Sequence, residues 1–431
     1  MADAAPARPS RGRWYVLLLI SVMYLITYLD RVNISTAAPL ISKEYGFDKV
    51  IMGVIFSAFV WAYALFQVPG GWLSDRFGAR GVLTAVVAYW SIMTAATAAA
   101  FSATSFIVVR FLFGVGEAGA FPGATRAMQL WYPQRERGLV QGVTHSASRL
   151  GAAIAPPLVV LIMSEFGWRW VFVICGAVGL VWSLWWSLSY RNLPEEEHGL
   201  VNPAELEIIR GRDATGAIKP PPLEKQTDVP WATLVRSPNM WAIMCAYFTY
   251  VYCLWIFLSW LPSYLIEFRH FTLFKVGLLA SLPLWAGVVG DTVGGLATDW
   301  LLKITGSAKL GRRIVSITGL LGCAVFIVPA ALTDDPYTAV YCLTAAMFFL
   351  ECTIGPSWAV PMDTGGKYSG TVSGMMNMAG NFGGALSPIV FGVLVQIGNW
   401  QAPFIVAAAL LVGGSAVWAF WLDPDQPILT S

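Results

Sequence analysis

Twelve apolar stretches recur along the chain, each of about 20 residues or more and so long enough, as a helix, to cross about 30 Å of hydrocarbon. They fall at roughly 14–37, 50–74, 80–101, 104–130, 138–163, 168–190, 240–266, 274–302, 312–332, 336–360, 369–396 and 400–421. Short polar turns separate them, and one long polar stretch, 191–238, divides six from six. It contains Glu195-Glu196-Glu197 and Pro220-Pro221-Pro222, and predicts a linker with a short helix near 203–212. The pattern predicts an all-α membrane protein of two six-helix halves. Its parts are an N-terminal segment 1–13, a first half 14–190, the linker 191–238, a second half 239–422 and a tail 423–431.

Composition agrees with a polytopic membrane chain. Of 431 residues, 12% are charged, against about 25% in soluble domains, and the mean hydropathy is +0.63. The net charge of +2 gives no reason to expect a nucleic-acid partner. The six Cys lie in or beside apolar stretches and read as small buried hydrophobes. No CxxC or Cys/His metal spacing occurs, nor a Gly-rich phosphate loop, an HExxH or a nucleophile elbow. No enzyme, metal or cofactor is therefore expected. Most of the 27 Lys and Arg, among them Arg8, Arg11, Arg13, Arg76, Arg80, Arg135, Arg137, Lys309, Arg312, Arg313 and Lys367, lie on the side of the termini and the linker. Lys43, Lys49, Arg169, Arg269 and Lys275 lie on the other, so both termini should be cytoplasmic. The basic Met1–Arg13 is followed by no small-x-small cleavage site, and the apolar run continues through Asp30-Arg31. This reads as a retained first helix in a bacterial inner (plasma) membrane.

The candidate chemistry lies at bilayer depth. An ionised group there costs about 2.5–3.5 kcal/mol on insertion scales and usually faces a cavity that handles a substrate, an ion or a proton. The first stretch carries Tyr28-Leu29-Asp30-Arg31-Val32-Asn33-Ile34-Ser35. Arg31 is a permanent cation whose planar fork matches a carboxylate, and is the expected anion anchor. Asp30 follows it directly in space only if the helix is distorted, because consecutive helix residues do not face each other. Asp30 therefore needs another partner or a proton. Arg110 and Glu117 lie on one face of the fourth helix, about 10.5 Å apart in rise, too far to touch in a regular helix. The expectation is that Asp30 pairs with Arg110 while Glu117 lies near Arg31. The fifth helix carries Thr144, His145, Ser148 and Arg149, with His145 and Arg149 on one face.

The halves repeat. Setting Gly138 on Gly370 also sets Gly142, Ala147, Gly151 and Pro156 on Gly374, Ala379, Gly383 and Pro388, and His145 and Arg149 on Asn377 and Asn381. Setting Gly70 on Gly294 sets Asp75 on Asp299. Repeated six-helix units are a building plan of alternating-access transporters, with the site at the repeat interface. Gly71-x-x-x-Asp75-Arg76-x-Gly78-x-Arg80 resembles the helix 2–3 loop motif of the major facilitator superfamily. Tyr28-Leu29-Asp30-Arg31-x-Asn33-Ile34, Arg110-x6-Glu117-x4-Pro122 and Trp260-Leu261-Pro262-x-Tyr264 together resemble its anion:cation symporter family, over nearly the whole chain.

The resemblance implies the major facilitator fold, proton-carrying roles for Asp30 and Glu117 with Arg110 beside them, and substrate contacts at Tyr28, Tyr63, Ser357, Trp358 and Asn377; Ser148 on the fifth helix and Asn381, the repeat counterpart of Arg149, are further expected contacts. Asp75, Arg76 and Arg80 read as a gate latch reaching helix ends. Sugar-acid symporters of this family carry a neutral amide near Ser148, so Arg149 is a departure. A second cavity Arg favours a dicarboxylate, an aromatic diacid or a sugar diacid. Asp291 and Glu351 are ion- or proton-site candidates without a ground for preference. The expected function is import of a small organic anion coupled to protons by alternating access, by a monomer in the lipid bilayer. Sodium coupling stays open, as does an organophosphate/phosphate antiporter, which the absence of Lys and Arg from the seventh helix disfavours. A polytopic sensor is the remaining alternative.

Overall fold

The computed structural model describes residues 8–133, 136–196, 199–212, 215, 217–219, 229–365, 369–426 and 428. Among them, 12 helices have the length and apolarity to cross a membrane. The first half comprises α1 (Gly12–Tyr45), α2 (Lys49–Ser74), α3 (Arg76–Thr97), α4 (Ala103–Trp131), α5 (Val140–Phe166) and α6 (Trp168–Ser189). The second comprises α7 (Pro238–Phe268), α8 (Leu273–Thr305), α9 (Lys309–Leu332), α10 (Pro336–Pro361), α11 (Thr371–Gln396) and α12 (Ala402–Trp421). Large apolar side chains such as Leu184, Val325 and Phe420 stand exposed on the outside of the bundle, as a lipid-facing surface requires.

The apolar runs place the helices well, and their ends follow local chemistry. α1 continues past the expected residue 37 to Tyr45, because the polar Ser42-Lys43-Glu44 extends the helix beyond the apolar run. It ends at Gly46, whose φ of +69° suits glycine and whose N–H bonds the Ser42 carbonyl. α2 starts where the Asp48 carboxylate accepts from the Ile51 N–H at 2.7 Å. At its start α1 has no side-chain cap of its own. The linker supplies one. Glu205, on the predicted short helix at Pro203–Arg210, accepts from the Gly12 and Arg13 N–H groups at 3.0 Å each. A carboxylate on free helix N–H groups is stabilising there, and it fastens the linker to the first half.

Packing within each half repeats. α1 lies against α5, and α7 against α11. A Cβ on Gly151 (α5) would collide with the Leu25 carbonyl of α1, and one on Gly383 (α11) would come within 2.6 Å of the Phe248 carbonyl of α7. Small residues at matched positions thus let both helix pairs approach closely.

The halves meet along α2–α11, α5–α8 and α1–α7. On the face away from the linker they are closed. Ser57 Oγ donates to the Ala385 carbonyl at 2.5 Å, the Lys49 N–H donates to Gln396 Oε1 at 3.0 Å, and Lys49 pairs with Glu267. Nearer the linker face, two matched glycines stand clear of neighbouring atoms. A Cβ on the repeat-matched Gly142 or Gly374 would meet nothing within 4 Å.

Candidate functional site

Two helices break at mid-depth, each directly after a glutamate. α4 consists of Ala103–Glu117 and Ala120–Trp131. α10 consists of Pro336–Glu351 and a second piece starting at Ile354. The cause is in the sequence. Pro122 and Pro356 each lack an N–H for the carbonyl four residues back, Ala118 and Cys352, and crowd it. Glu117-x4-Pro122 and Glu351-x4-Pro356 are therefore two copies of one device that presents a buried carboxylate at a helix break.

Each carboxylate meets an arginine. Arg31 Nε donates to Glu117 Oε1 at 2.5 Å, with the side chains 6% and 0% exposed. Arg149 Nη2 lies 3.0 Å from Glu351 Oε2, again 6% and 0% exposed. Tyr250 completes the second group: its hydroxyl donates to Glu351 Oε2 at 3.1 Å and accepts from Arg149 Nη2 at 3.3 Å. The first pair lies within the first half, α1 to α4. The second crosses between the halves, α5 to α10 with α7. Arg31 sits in an aromatic box, its guanidinium carbon 4.5 Å from the Tyr63 ring centroid, 4.7 Å from Tyr28, 5.4 Å from Phe59 and 5.7 Å from Phe121. Tyr28 is shared, for Arg149 lies 5.6 Å from the same ring. The two guanidiniums are thus separated by no more than those two distances end to end.

A fold of two repeated six-helix bundles around mid-depth charges is mirrored in known proteins. The chain matches the family described as Major Facilitator Superfamily over residues 20–388 and again over 307–430. The chain belongs to the major facilitator superfamily. Among similar proteins are the probable sulfoacetate transporter SauU of Cupriavidus necator, 43% identical over 96% of this chain and 94% of that one, and a D-galactonate transporter of Escherichia coli O6:H1, 34% identical over 94% and 95%. A hexuronate transporter of Bacillus subtilis is 32% identical over 95% and 93%. Crystal structures of a bacterial homologue of the human lysosomal transporter Spinster, inward-facing and either occupied or unoccupied, share the fold. Their TM-scores are 0.75 and 0.76, with 95% and 96% of this chain covered at 17% and 19% identity. This chain is accordingly a multi-pass membrane transporter of the facilitator fold.

The other expected residues of this facilitator fall into two groups. Asp30 is fully buried beside the first pair and takes a long hydrogen bond, 3.4 Å, from Asn33 Nδ2. The expected ion pair between Asp30 and Arg110 is not formed. Arg110 instead lies over the Phe113 and Phe59 rings at 4.4 and 5.2 Å, and has no hydrogen-bond or ion-pair partner among the described residues. Phe59 thereby touches both Arg31 and Arg110. On the second-half side, Trp358 Nε1 donates to Tyr247 OH at 3.0 Å, Tyr247 stacks on Tyr250 at 5.3 Å, and His145 reaches Trp358 from α5 at 6.0 Å. Asn377 Nδ2 donates across the halves to Gln67 Oε1 at 3.2 Å, and Asn381 Nδ2 donates to the Asn377 carbonyl at 2.8 Å. Ser148 and Ser357 donate to backbone carbonyls of their own helices, His145 at 2.6 Å and Thr353 at 2.7 Å.

The expected latch takes a different course. The side chain of Asp75 lies outside the described set. Gly78, at φ +80°, turns the chain so that the Arg80 N–H meets Asn192 Oδ1 at 2.9 Å and the Arg80 guanidinium meets the Ser187 carbonyl at 2.7 Å. Arg76 rests on the Trp72 and Phe77 rings. Both arginines are thus held within the first half rather than across to the second. The sequence made Glu351 an ion- or proton-site candidate without a ground for preference, and did not single out Tyr250 as its partner. The duplicated Glu-x4-Pro is the signal that points to Glu351.

Proposed function

We propose that the protein imports a small organic anion together with protons, and that Arg31 holds the substrate carboxylate. The observation that carries this is the Arg31–Glu117 pair inside its aromatic box. Glu117 meets the Arg31 guanidinium as a substrate carboxylate would. Protonation of Glu117 frees Arg31, and the anion takes its place. Charge balance gives the coupling. Arg31, Arg110 and Arg149 stand against Asp30, Glu117 and Glu351, all at most 7% exposed. An added anion is an uncompensated buried charge unless protons arrive with it, and such a charge is expensive in a low-dielectric site. Asp30, beside Arg110, is the second carboxylate placed to take one. With the anion and protons in place, the halves rock about the mid-depth site. The distribution of Lys and Arg supports a cytoplasmic position for the termini and linker, which makes the closed face the outer one.

The named substrates of the relatives, sulfoacetate, galactonate and hexuronates, are all small organic acids, which supports an anion as cargo. Uptake of such acids into proteoliposomes, with and without an inward proton gradient, tests the reading. Accumulation that collapses with an uncoupler is the expected result. Equal uptake in both conditions refutes proton coupling, and no uptake of any acid refutes the function.

A further inference from the structure

The proposed function uses the Arg31–Glu117 pair and leaves a second, matching pair unemployed. Arg149–Glu351 has the same composition and the same burial, and its glutamate likewise lies directly before a proline-induced helix break. It differs in one respect: its cation comes from the first half and its carboxylate from the second. A buried ion pair adds little to stability compared with apolar packing of the same volume, so its presence between two moving bodies asks for another explanation. Resting on the anion reading above, we infer that Arg149 and Tyr250 form a second acid-binding subsite, whose place Glu351 holds until substrate displaces it, so that the preferred substrate is a short acid with two anionic heads.

The geometry supports this. Arg31 and Arg149 lie over the same ring, Tyr28, at 4.7 and 5.6 Å, close enough for the two heads of a short acid to reach one guanidinium each. Two permanent cations over one ring are complementary to two anionic heads, and a single-headed acid leaves one of them to its own glutamate. When the second head displaces Glu351, that carboxylate must take a proton from the medium to stay buried. The groups facing it are Arg149 from α5, Tyr247 and Tyr250 from α7, Asp291 from α8 and Cys323 from α9. With Arg149 turned to the substrate, none of them supplies a positive charge. Each two-headed acid is then carried with one proton more than Glu117 and Asp30 account for.

The test is binding and transport with sulfoacetate as the two-headed probe and the best-binding member of an acetate, glycolate and galactonate panel as the single-headed one. Wild type should favour sulfoacetate. Arg149→Gln should lower the ratio of the two affinities at least tenfold, and Glu351→Gln should lower by one the number of protons moved per sulfoacetate, read from reversal potentials in proteoliposomes. The double variant Arg149→Gln/Glu351→Gln leaves neither charge buried alone and guards against misfolding; it should remain monodisperse with the lowered ratio. An unchanged ratio in both Arg149 variants, or an unchanged proton count in Glu351→Gln, overturns the inference and makes the pair a structural tie. In that event wild-type binding of single-headed acids that is lost in Arg31→Ala still upholds the anion reading. A wild type that responds to no acid sinks both.

Discussion

The two halves are alike in packing and unlike in charge. Gly151 and Gly383 let α5 and α11 close on α1 and α7 in the same way, and the helix breaks after Glu117 and Glu351 share one proline device. Yet the buried cations at mid-depth, Arg31, Arg110 and Arg149, all belong to the first half. The second half brings a glutamate and a run of hydroxyl, indole and amide groups at Tyr247, Tyr250, Trp358, Asn377 and Asn381. The difference teaches a division of labour. Duplication preserved the packing that holds each half together as one body, while the buried positive charge at mid-depth is concentrated in the first. The charge that the second body brings at this depth is carboxylate: Glu351, which Arg149 holds, and Asp291 on α8 nearby.

The comparison is most directly broken at Arg31. Arg31→Ala leaves Glu117 buried without its partner, a change that costs about 3–5 kcal/mol where a buried pair is broken, and removes the anchor as well. Substrate-induced thermal stabilisation should vanish, and its retention would refute the anchor role. Glu117→Gln acts on coupling rather than binding. Counterflow of labelled substrate should persist while accumulation driven by a proton gradient is lost; the disappearance of both together would make Glu117 structural. The packing symmetry predicts matched effects: Gly151→Ala and Gly383→Ala should each destabilise by about 1–3 kcal/mol, the usual cost of overpacking. Thermal melting of the two variants checks this, and a large effect at one site with none at the other would mean that the halves do not share their packing logic.

Much of this was legible in the sequence. Apolar run length located all the membrane helices, because spanning length is set by the bilayer rather than by tertiary detail. The linker helix at Pro203–Arg210 announced itself through Asn202 and Pro203, a cap and a first-turn proline. The nearness of Glu117 to Arg31 followed from charge economy: two opposite charges in hydrocarbon must meet something. The same economy misplaced Arg110, which the aromatic faces of Phe59 and Phe113 receive in place of Asp30. Spacing along one helix cannot tell a carboxylate partner from a ring, since that depends on the rotation of its neighbours. Arg149 was legible as a departure but its partner was not. Glu351 lies in the other half, and only the register of the Glu-x4-Pro copies links the two.

The smallest expected effect lies at the closed face, where the halves are joined by groups near the surface rather than by buried charges. Lys49 and Glu267 are 22% and 26% exposed, and a pair so placed is worth about 0.2–1 kcal/mol. Lys49→Ala should therefore loosen this face by no more than about fivefold in population, since about 1.4 kcal/mol is needed for tenfold. The shift can be read as a faster reaction of a cysteine placed at Ser57, which the α2–α11 contact buries in the closed face. Because solvent reaches the pair, raising ionic strength should speed labelling of the Ser57→Cys protein and leave the Lys49→Ala background unmoved. A labelling rate indifferent to both salt and Lys49 would assign closure of that face to helix packing alone. Gly53 and Gly392, each of which brings a backbone of α2 or α11 against the other, would then carry it.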